Sequence, residues 1–568
     1  MNSKYHIRIR ILSVGIALAA LVIIGDLYLI QIVKGDLYRE KADRQYARPI
    51  NATFDRGSIF FEVKDGTRVT AAGIKDGATV AIIPKLITDT EVVYEKLKTF
   101  ISLDKEQFLE KAARKEDPYE EIAKRVDRDT AVALEAAKIP GVRTYKDTWR
   151  TYPANGIAAH SIGFIGYKGD VIAGRYGLER YYEDTLSRNN KEVYVNFFAE
   201  LFSGITSSVF NNRSGQGDIV TTIEPSVQSY VESVLVKTKA QWSPDTIGAI
   251  VINPKTGEIY AMAALPGFNP NDRKESEDPR VYSNPLVENV YEMGSILKPL
   301  TVAAGLDAGV ITAATTYDDK GFVEVDGKKI SNFDFKGRGV VPMQEILSQS
   351  LNTGIAFIVK RLGNETMTKY FLGFGLGEKT GIDQPNEAVG INSLKTNQDI
   401  DHVSAGFGQS IATTPIETVR ALSVLANGGT LITPHLVQRI EYDGGSVKEI
   451  EYSEGARVIK KETSEEITRM LIRVVDEALR KGVYKNEHYT VAAKTGTAQI
   501  AERGAGGYYK DRYLHSFFNY FPAYNPQFLV FMYQVYPKGA QYASETLTAP
   551  VMDINKFLIN YYEVPPDR

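Results

Sequence analysis

Three short motifs stand in order in the second half of the chain, and any fold it adopts must bring them together. They are Ser295-Ile296-Leu297-Lys298, Ser350-Leu351-Asn352 and Lys494-Thr495-Gly496-Thr497. Between them they hold a hydroxyl nucleophile, an amine base, a polar bridge and an anion-binding strand, the equipment for acyl transfer through a serine ester. Each has decoys. Ser102-Leu103-Asp104-Lys105 repeats the first and Ser187-Arg188-Asn189 the second, while Lys255-Thr256-Gly257 and Lys379-Thr380-Gly381 repeat the third. Local context separates the ordered set from these.

Gly294 precedes Ser295 and Pro299 follows Lys298. Proline is harmless only where its missing N–H has no partner anyway, in the first turn of a helix, so a helix is expected to begin close to Ser295. Lys298 then lies one turn along on the same face, and the helix N-terminus favours developing negative charge. A serine hydroxyl needs a base. Of the 6 histidines none is near Ser295 in sequence, and a lysine can take the role if it is neutral. Free lysine titrates near ~10.4, and burial or a neighbouring cation, here Lys494, lowers it. Ser350 is placed to relay a proton, and Asn352 to hold Lys298 or a substrate amide. Only Lys494-Thr495-Gly496 follows a strand pattern, Tyr489 to Ala493. A strand edge there can pair with an extended peptide while Lys494 and Thr495 take its terminal carboxylate. Gly496 leaves room for close approach, and the N–H groups of Thr497 and Ser295 are candidates for an oxyanion hole.

The 568 residues allow several domains; the 43% hydrophobic and 24% charged composition is ordinary for globular chains. A net charge of -3 points away from nucleic acid. The chain has no cysteine, which excludes disulfides and thiolate sites, and no motif calls for a metal or cofactor. Ile11 to Val33 is apolar apart from Asp26 and meets the ~20 residues a membrane-spanning helix needs; we read it as a retained anchor rather than a cleaved signal peptide. Asp36 to Arg48 reads as a helical stalk, Thr79 to Ile83 as a strand, and Lys105 to Arg114 and Pro118 to Ala137 as helices. The aromatic-rich stretch Tyr194 to Phe210 reads as core, with a shallow membrane contact as the alternative. Strands are expected at Asp218 to Ile223, Ile247 to Ile252 and Glu258 to Ala263, with a helix from Pro225 to Thr238. Helices then dominate to about Leu425. Strands return at Thr490 to Gln499, His515 to Phe521 and Phe528 to Val535, and Val551 to Tyr562 closes as a helix. This order predicts a sheet built from both ends of one α/β (α+β) domain, with a helical lobe between.

The three motifs resemble those of the serine acyltransferases that bind penicillin. More narrowly, the chain resembles a class B penicillin-binding protein, a monofunctional peptidoglycan transpeptidase. Arg56-Gly57-Ser58-Ile59, Arg150-Thr151-Tyr152-Pro153 and Gly177-Leu178-Glu179 are similar to signatures of the family's non-catalytic pedestal domain. Gly406-Phe407-Gly408-Gln409 and Ala426-Asn427-Gly428-Gly429 are similar to transpeptidase segments; residues 74 to 141 are not diagnostic. The resemblance implies a cytoplasmic tail (1–10), a transmembrane anchor (11–33), a stalk and pedestal (34–215), and a transpeptidase domain (216–564) whose antiparallel sheet is flanked by helices. It implies that Ser295 attacks a D-Ala-D-Ala stem peptide outside the plasma membrane, that β-lactams acylate Ser295, and that a lipid-linked peptidoglycan polymerase of a division or elongation complex is a partner. Ile296-Leu297 stands where Thr-Phe is common, and Ser410 where glycine is usual. Phe61-Glu62-Val63-Lys64 replaces a familiar Asp-Arg-Asn. Tyr291 to Gly294 and Ala549-Pro550-Val551 lean toward the division branch. Two rivals remain: a same-fold β-lactamase or D,D-carboxypeptidase, and a membrane-anchored β-lactam sensor.

Overall fold

The computed structural model describes residues 54–169, 171–188, 215–272, 278–396, 398–452, 455–502 and 506–568. The Ile11–Val33 stretch, the Asp36–Arg48 stalk and the Tyr194–Phe210 segment lie outside them. Among the described residues no helix is long and apolar enough to cross a membrane. The described chain falls into two compact units, one within 74–149 and one made of 56–73, 150–188 and 215–568. Strands β1 (Ile59–Glu62) and β2 (Arg68–Ile82) pair antiparallel. In the smaller unit, helix α1 (Lys105–Ala113) agrees with its periodicity, and Asp104 of the Ser-x-x-Lys decoy caps it. The helix expected over Pro118 to Ala137 is instead strand β3 (Glu120–Asp127) followed by helix α2 (Arg128–Ala136). Pairing of β3 with β2 overrides the helical propensity of its Glu and Lys residues, and Asp127 breaks the run by capping Thr130. Strand β4 (Val142–Thr151) also pairs with β2. Val80, Ile82, Phe108, Leu134 and Val142 form this unit's core.

In the larger unit, β5 (Gly217–Thr221) lies beside β1, and helix α3 (Pro225–Trp242) follows. Strands β6 (Thr246–Ile252) and β7 (Ile259–Leu265) form a hairpin whose turn holds the Lys255 decoy. The lobe is helical, as expected, and carries small hairpins: α4 (Lys298–Asp307), α5 (Met343–Ser348), α6 (Asn352–Leu362), α7 (Pro415–Ala426) and α8 (Lys461–Arg473). Strand β8 (Val437–Tyr442) pairs with β5. The chain then returns as β9 (Ala492–Ala501), β10 (Tyr508–Phe521) and β11 (Phe528–Val535), and ends in helix α9 (Thr548–Tyr562).

The main sheet runs β9-β10-β11-β6-β7, antiparallel throughout, so the two ends of the domain meet between β11 and β6. Side chains of β11 alternate between two cores, as the two-residue period of a strand requires. Val530 and Met532 join α3 and α9, whereas Leu529, Phe531 and Tyr533 join the lobe around Leu300, Leu347 and Ile355. With helices on both faces the strand is apolar almost throughout. Strand β9 has a partner on one side only, which leaves its other edge facing the lobe.

Candidate active site

The Ser295 segment is a one-turn 3-10 helix, Gly294–Leu297, running directly into α4 with Pro299 in its first turn. The start of this helix matches the expectation from Pro299. Residues Lys298 to Gly305 of α4 are all buried, so the helix is wrapped on every side, and Lys298 itself has no exposed surface. A lysine amine in such a place needs polar partners. Lys298 Nζ donates to the Ser350 carbonyl at 2.6 Å and to Ser350 Oγ at 3.2 Å. Ser350 bends through the left-handed region, φ +56°, between α5 and α6, which turns both oxygens toward that amine.

Lys494, on β9, reaches the same hydroxyl. Its Nζ donates to Ser350 Oγ at 3.1 Å and to the Thr495 carbonyl at 2.9 Å. Two lysine amines therefore share one hydroxyl oxygen, and neither has meaningful access to water. Burial pushes Lys494 down to about 7. Burial first, and the Lys494 cation second, push Lys298 well below the ordinary lysine range. An unprotonated Lys298 can accept a proton from a serine hydroxyl, which a solvated lysine at neutral pH does not do.

The Ser295 turn is held against β9 by close backbone approach. A Cβ on Gly496 would stand 2.8 Å from the Met293 carbonyl and 2.3 Å from Ser516 Oγ. A Cβ on Gly294, at φ +67°, would stand 3.1 Å from Thr497. Ser516, paired with Gly496 across the ladder, donates to the Met293 carbonyl at 2.7 Å. On the other side the Gly294 N–H donates to the Gly408 carbonyl at 3.0 Å, and Gly408 at φ +82° has room for no side chain there. Ser410, at φ +58°, sits in a conformation that favours glycine, in line with its departure from the family pattern.

The remaining expected residues divide. Thr495 and Thr497 are half-buried on β9, and Thr497 Oγ1 accepts from the Ala543 N–H at 3.0 Å. Asn352 opens α6, and its Nδ2 donates to the Ser331 carbonyl at 2.9 Å rather than holding Lys298. The Lys379 decoy lies elsewhere, with Thr380 bonded to Glu387. Ser516 and Glu292 line the Ser295 turn, and the motifs assigned neither a role there, although Glu292 belongs to the Tyr291–Gly294 segment and Ser516 is a polar break in an apolar strand.

The pedestal-like signatures also converge. Buried Glu179 accepts from Arg56 Nε and Arg150 Nε, both at 2.6 Å, and from the Tyr152 hydroxyl at 3.2 Å. Arg150 Nη1 donates to the Gly57 carbonyl at 2.8 Å. Burial raises the Glu179 carboxyl, but the two arginines outweigh it and hold it below the ordinary range.

Comparison with known proteins identifies the domains of the chain. Residues 247–554 match the penicillin binding protein transpeptidase domain, and residues 56–200 the penicillin-binding protein dimerisation domain. Stage V sporulation protein D of Bacillus subtilis is 30% identical over 562 residues, covering 97% of this chain and 85% of that one. The peptidoglycan D,D-transpeptidase MrdA of Acinetobacter baumannii is 26% identical over 599 residues, covering 95% and 86%. The crystal structure of penicillin binding protein 2X from Streptococcus thermophilus superposes with a TM-score of 0.72 at 20% identity, over 90% of this chain and 81% of that one. That likeness concerns the fold.

Proposed function

We propose that Ser295 is the nucleophile of a chain that belongs to the class B penicillin-binding proteins, the peptidoglycan D,D-transpeptidases that work through a serine ester. The activity is cell-wall transpeptidation; neither the β-lactamase or carboxypeptidase reading nor the sensor reading is favoured. The observation that supports the residue roles is the pair of buried amines, Lys298 and Lys494, on the one Ser350 hydroxyl. In acylation the Ser295 Oγ bonds to the carbonyl carbon of the penultimate D-Ala while its proton passes to Lys298. The C–N bond to the terminal D-Ala breaks, and the leaving nitrogen takes a proton by way of Ser350. An acceptor amine then attacks the ester, gives its proton to Lys298, and Ser295 regains a proton as the C–O bond breaks. Backbone N–H groups of Ser295 and Thr497 bind the oxyanion. Lys494 and Thr495 take the stem peptide's terminal carboxylate, and Gly496 admits its backbone along the open edge of β9. Asn352 orders the hairpin wall through Ser331.

We further infer a single-pass anchor at 11–33 with the 1–10 tail cytoplasmic, a pedestal over 34–215, and a transpeptidase domain over 216–564 acting outside the plasma membrane. The stem peptides and β-lactams are its small ligands, and a lipid-linked polymerase within a division or elongation complex is its partner. The division lean rests on Tyr291 to Gly294 and on Ala549-Pro550-Val551. Labelling with a fluorescent penicillin tests the chemistry. A covalent adduct that lasts many minutes and vanishes in Ser295→Ala is expected; labelling that survives in Ser295→Ala refutes the nucleophile, and rapid drug hydrolysis refutes the transpeptidase roles.

A further inference from the structure

The nucleophile turn has an anchor outside the three catalytic motifs. Glu292 lies three residues before Ser295 and is largely buried. Its Oε1 accepts from the Ser410 N–H at 2.9 Å and from the Tyr508 hydroxyl at 3.1 Å. Ser410 belongs to the strap that borders the turn, where Tyr291 and Thr413 exchange both backbone hydrogen bonds at 2.9 Å and Gly294 bonds Gly408. Between those two attachments the ladder is interrupted, because Ser410 sits at φ +58° and turns its N–H out of register. The Glu292 carboxylate fills that gap. Tyr508 begins β10, so the same oxygen also ties in the hairpin that carries β9 and its Lys494-Thr495-Gly496 run. Oε2 is enclosed, with no hydrogen-bond partner among the described residues.

Given the roles proposed for Ser295 and β9, we infer that Glu292 is a positioning residue. It couples the nucleophile turn, the 408–413 strap and the β9–β10 hairpin, and so holds Ser295 at reaction distance from a peptide lying on β9. It touches no substrate; it acts through Ser295. Misplacing a reacting atom by ~1 Å costs about 10²-fold in rate, whereas the Lys494–Thr497 run of β9 that binds the acylating agent keeps its ladder to Phe518–His515 of β10. The coupling therefore shows in the acylation rate constant and not in the concentration dependence of labelling.

The test measures acylation of the full chain by a fluorescent penicillin over a range of concentrations, which separates the rate constant from the half-saturating concentration, together with thermal melting. Glu292→Ala should lower the rate constant about tenfold to a hundredfold and leave half-saturation unchanged. Glu292→Gln keeps the Oε1 acceptor and should restore the rate to within a few-fold. Wild-type acylation in Glu292→Ala, or a Gln variant no faster than Ala, overturns the inference. Should Glu292→Ala fail to fold, Tyr508→Phe carries the test. It removes one donor and should slow acylation roughly twofold to tenfold, and no slowing overturns the inference equally. Absence of Ser295-dependent labelling in the wild type refutes instead the roles on which this rests.

Discussion

Gly496→Ala probes the packing that places Ser295, the proposed nucleophile. The added methyl would meet Ser516 Oγ at 2.3 Å, the Met293 carbonyl at 2.8 Å and Ile296 Cγ2 at 3.0 Å, where ordinary contact begins near 3.4 Å. Ser516 can rotate away, at the cost of its 2.7 Å hydrogen bond to Met293. The Met293 carbonyl cannot, because it is backbone two residues before Ser295. Relief there demands that the nucleophile turn lift from β9 by roughly half an ångström. Overpacking of this kind destabilises by about 1–3 kcal/mol. A lift of that size should slow acylation by about tenfold or more, since ~1 Å costs about 10²-fold. The assay is the rate of fluorescent-penicillin acylation, with denaturant unfolding of the same protein. Adding Ser516→Ala to Gly496→Ala removes the 2.3 Å contact and leaves the one at Met293. The double variant should regain part of the lost stability while staying slow, a coupling expected of residues in contact. Acylation by Gly496→Ala within twofold of wild type would refute the reasoning, because the turn would then be free to adjust without consequence for Ser295.

Other perturbations address the charges. Lys298→Met replaces a fully buried amine with an apolar chain of similar length. Stability should hold or rise while acylation falls by about 10²–10⁴, and a rate near wild type would remove Lys298 from the role of base. Lys494 titrates near 7 in the folded chain and near ~10.4 unfolded, so between those values the unfolded state binds the extra proton. Stability relative to Lys494→Met should therefore climb as pH rises from 7 toward 10; parallel stability curves from urea melts would contradict it. Lys494→Met also removes a cation beside Lys298, and the pH at which acylation becomes fast should move upward. Glu179→Ala leaves Arg150 buried without its carboxylate and Arg56 with Glu183 alone, and should cost about 3–5 kcal/mol in thermal or urea unfolding.

Much of the catalytic domain was legible because its signals are local. The apolar run Phe528 to Val535 reads as a strand since both its faces are covered, and Pro299 marks a helix start since it tolerates few other places. The residues 74 to 141 that carried no family signature fall within the smaller compact unit. There, Glu120 to Asp127 was misread as helix. Its strand state comes from pairing with β2, which no window of its own sequence contains. The site followed the same division. Ser295, Lys298, Ser350 and Lys494 announce themselves by motif. Ser516, Glu292 and Gly408 matter through contacts with segments distant in sequence, and a carboxylate or a serine gives no sign of which backbone it will meet. Arg56, Arg150 and Glu179 were visible as separate signatures and became one network only when folded.

The meeting of two amines on the Ser350 hydroxyl is hard to explain as a device for stability. Each amine costs free energy to desolvate, and their mutual repulsion adds to that cost in the low-dielectric interior. A hydroxyl oxygen between them satisfies hydrogen bonds but supplies no counter-charge. The described partners of Lys298 are the two oxygens of Ser350, with no carboxylate among them. A fold selected for stability alone would place an apolar residue at the start of so buried a helix. What the arrangement does provide is a lysine whose neutral form is favoured before any substrate arrives, one turn along the chain from Ser295, for which the proposed mechanism requires a base. The cost falls on the fold and the benefit on the reaction, the trade-off expected where activity depends on a destabilised group. Under the role proposed for Lys298 its buried position is itself functional, and exposing it to water is expected to slow acylation even with Ser295, Ser350 and Lys494 all present.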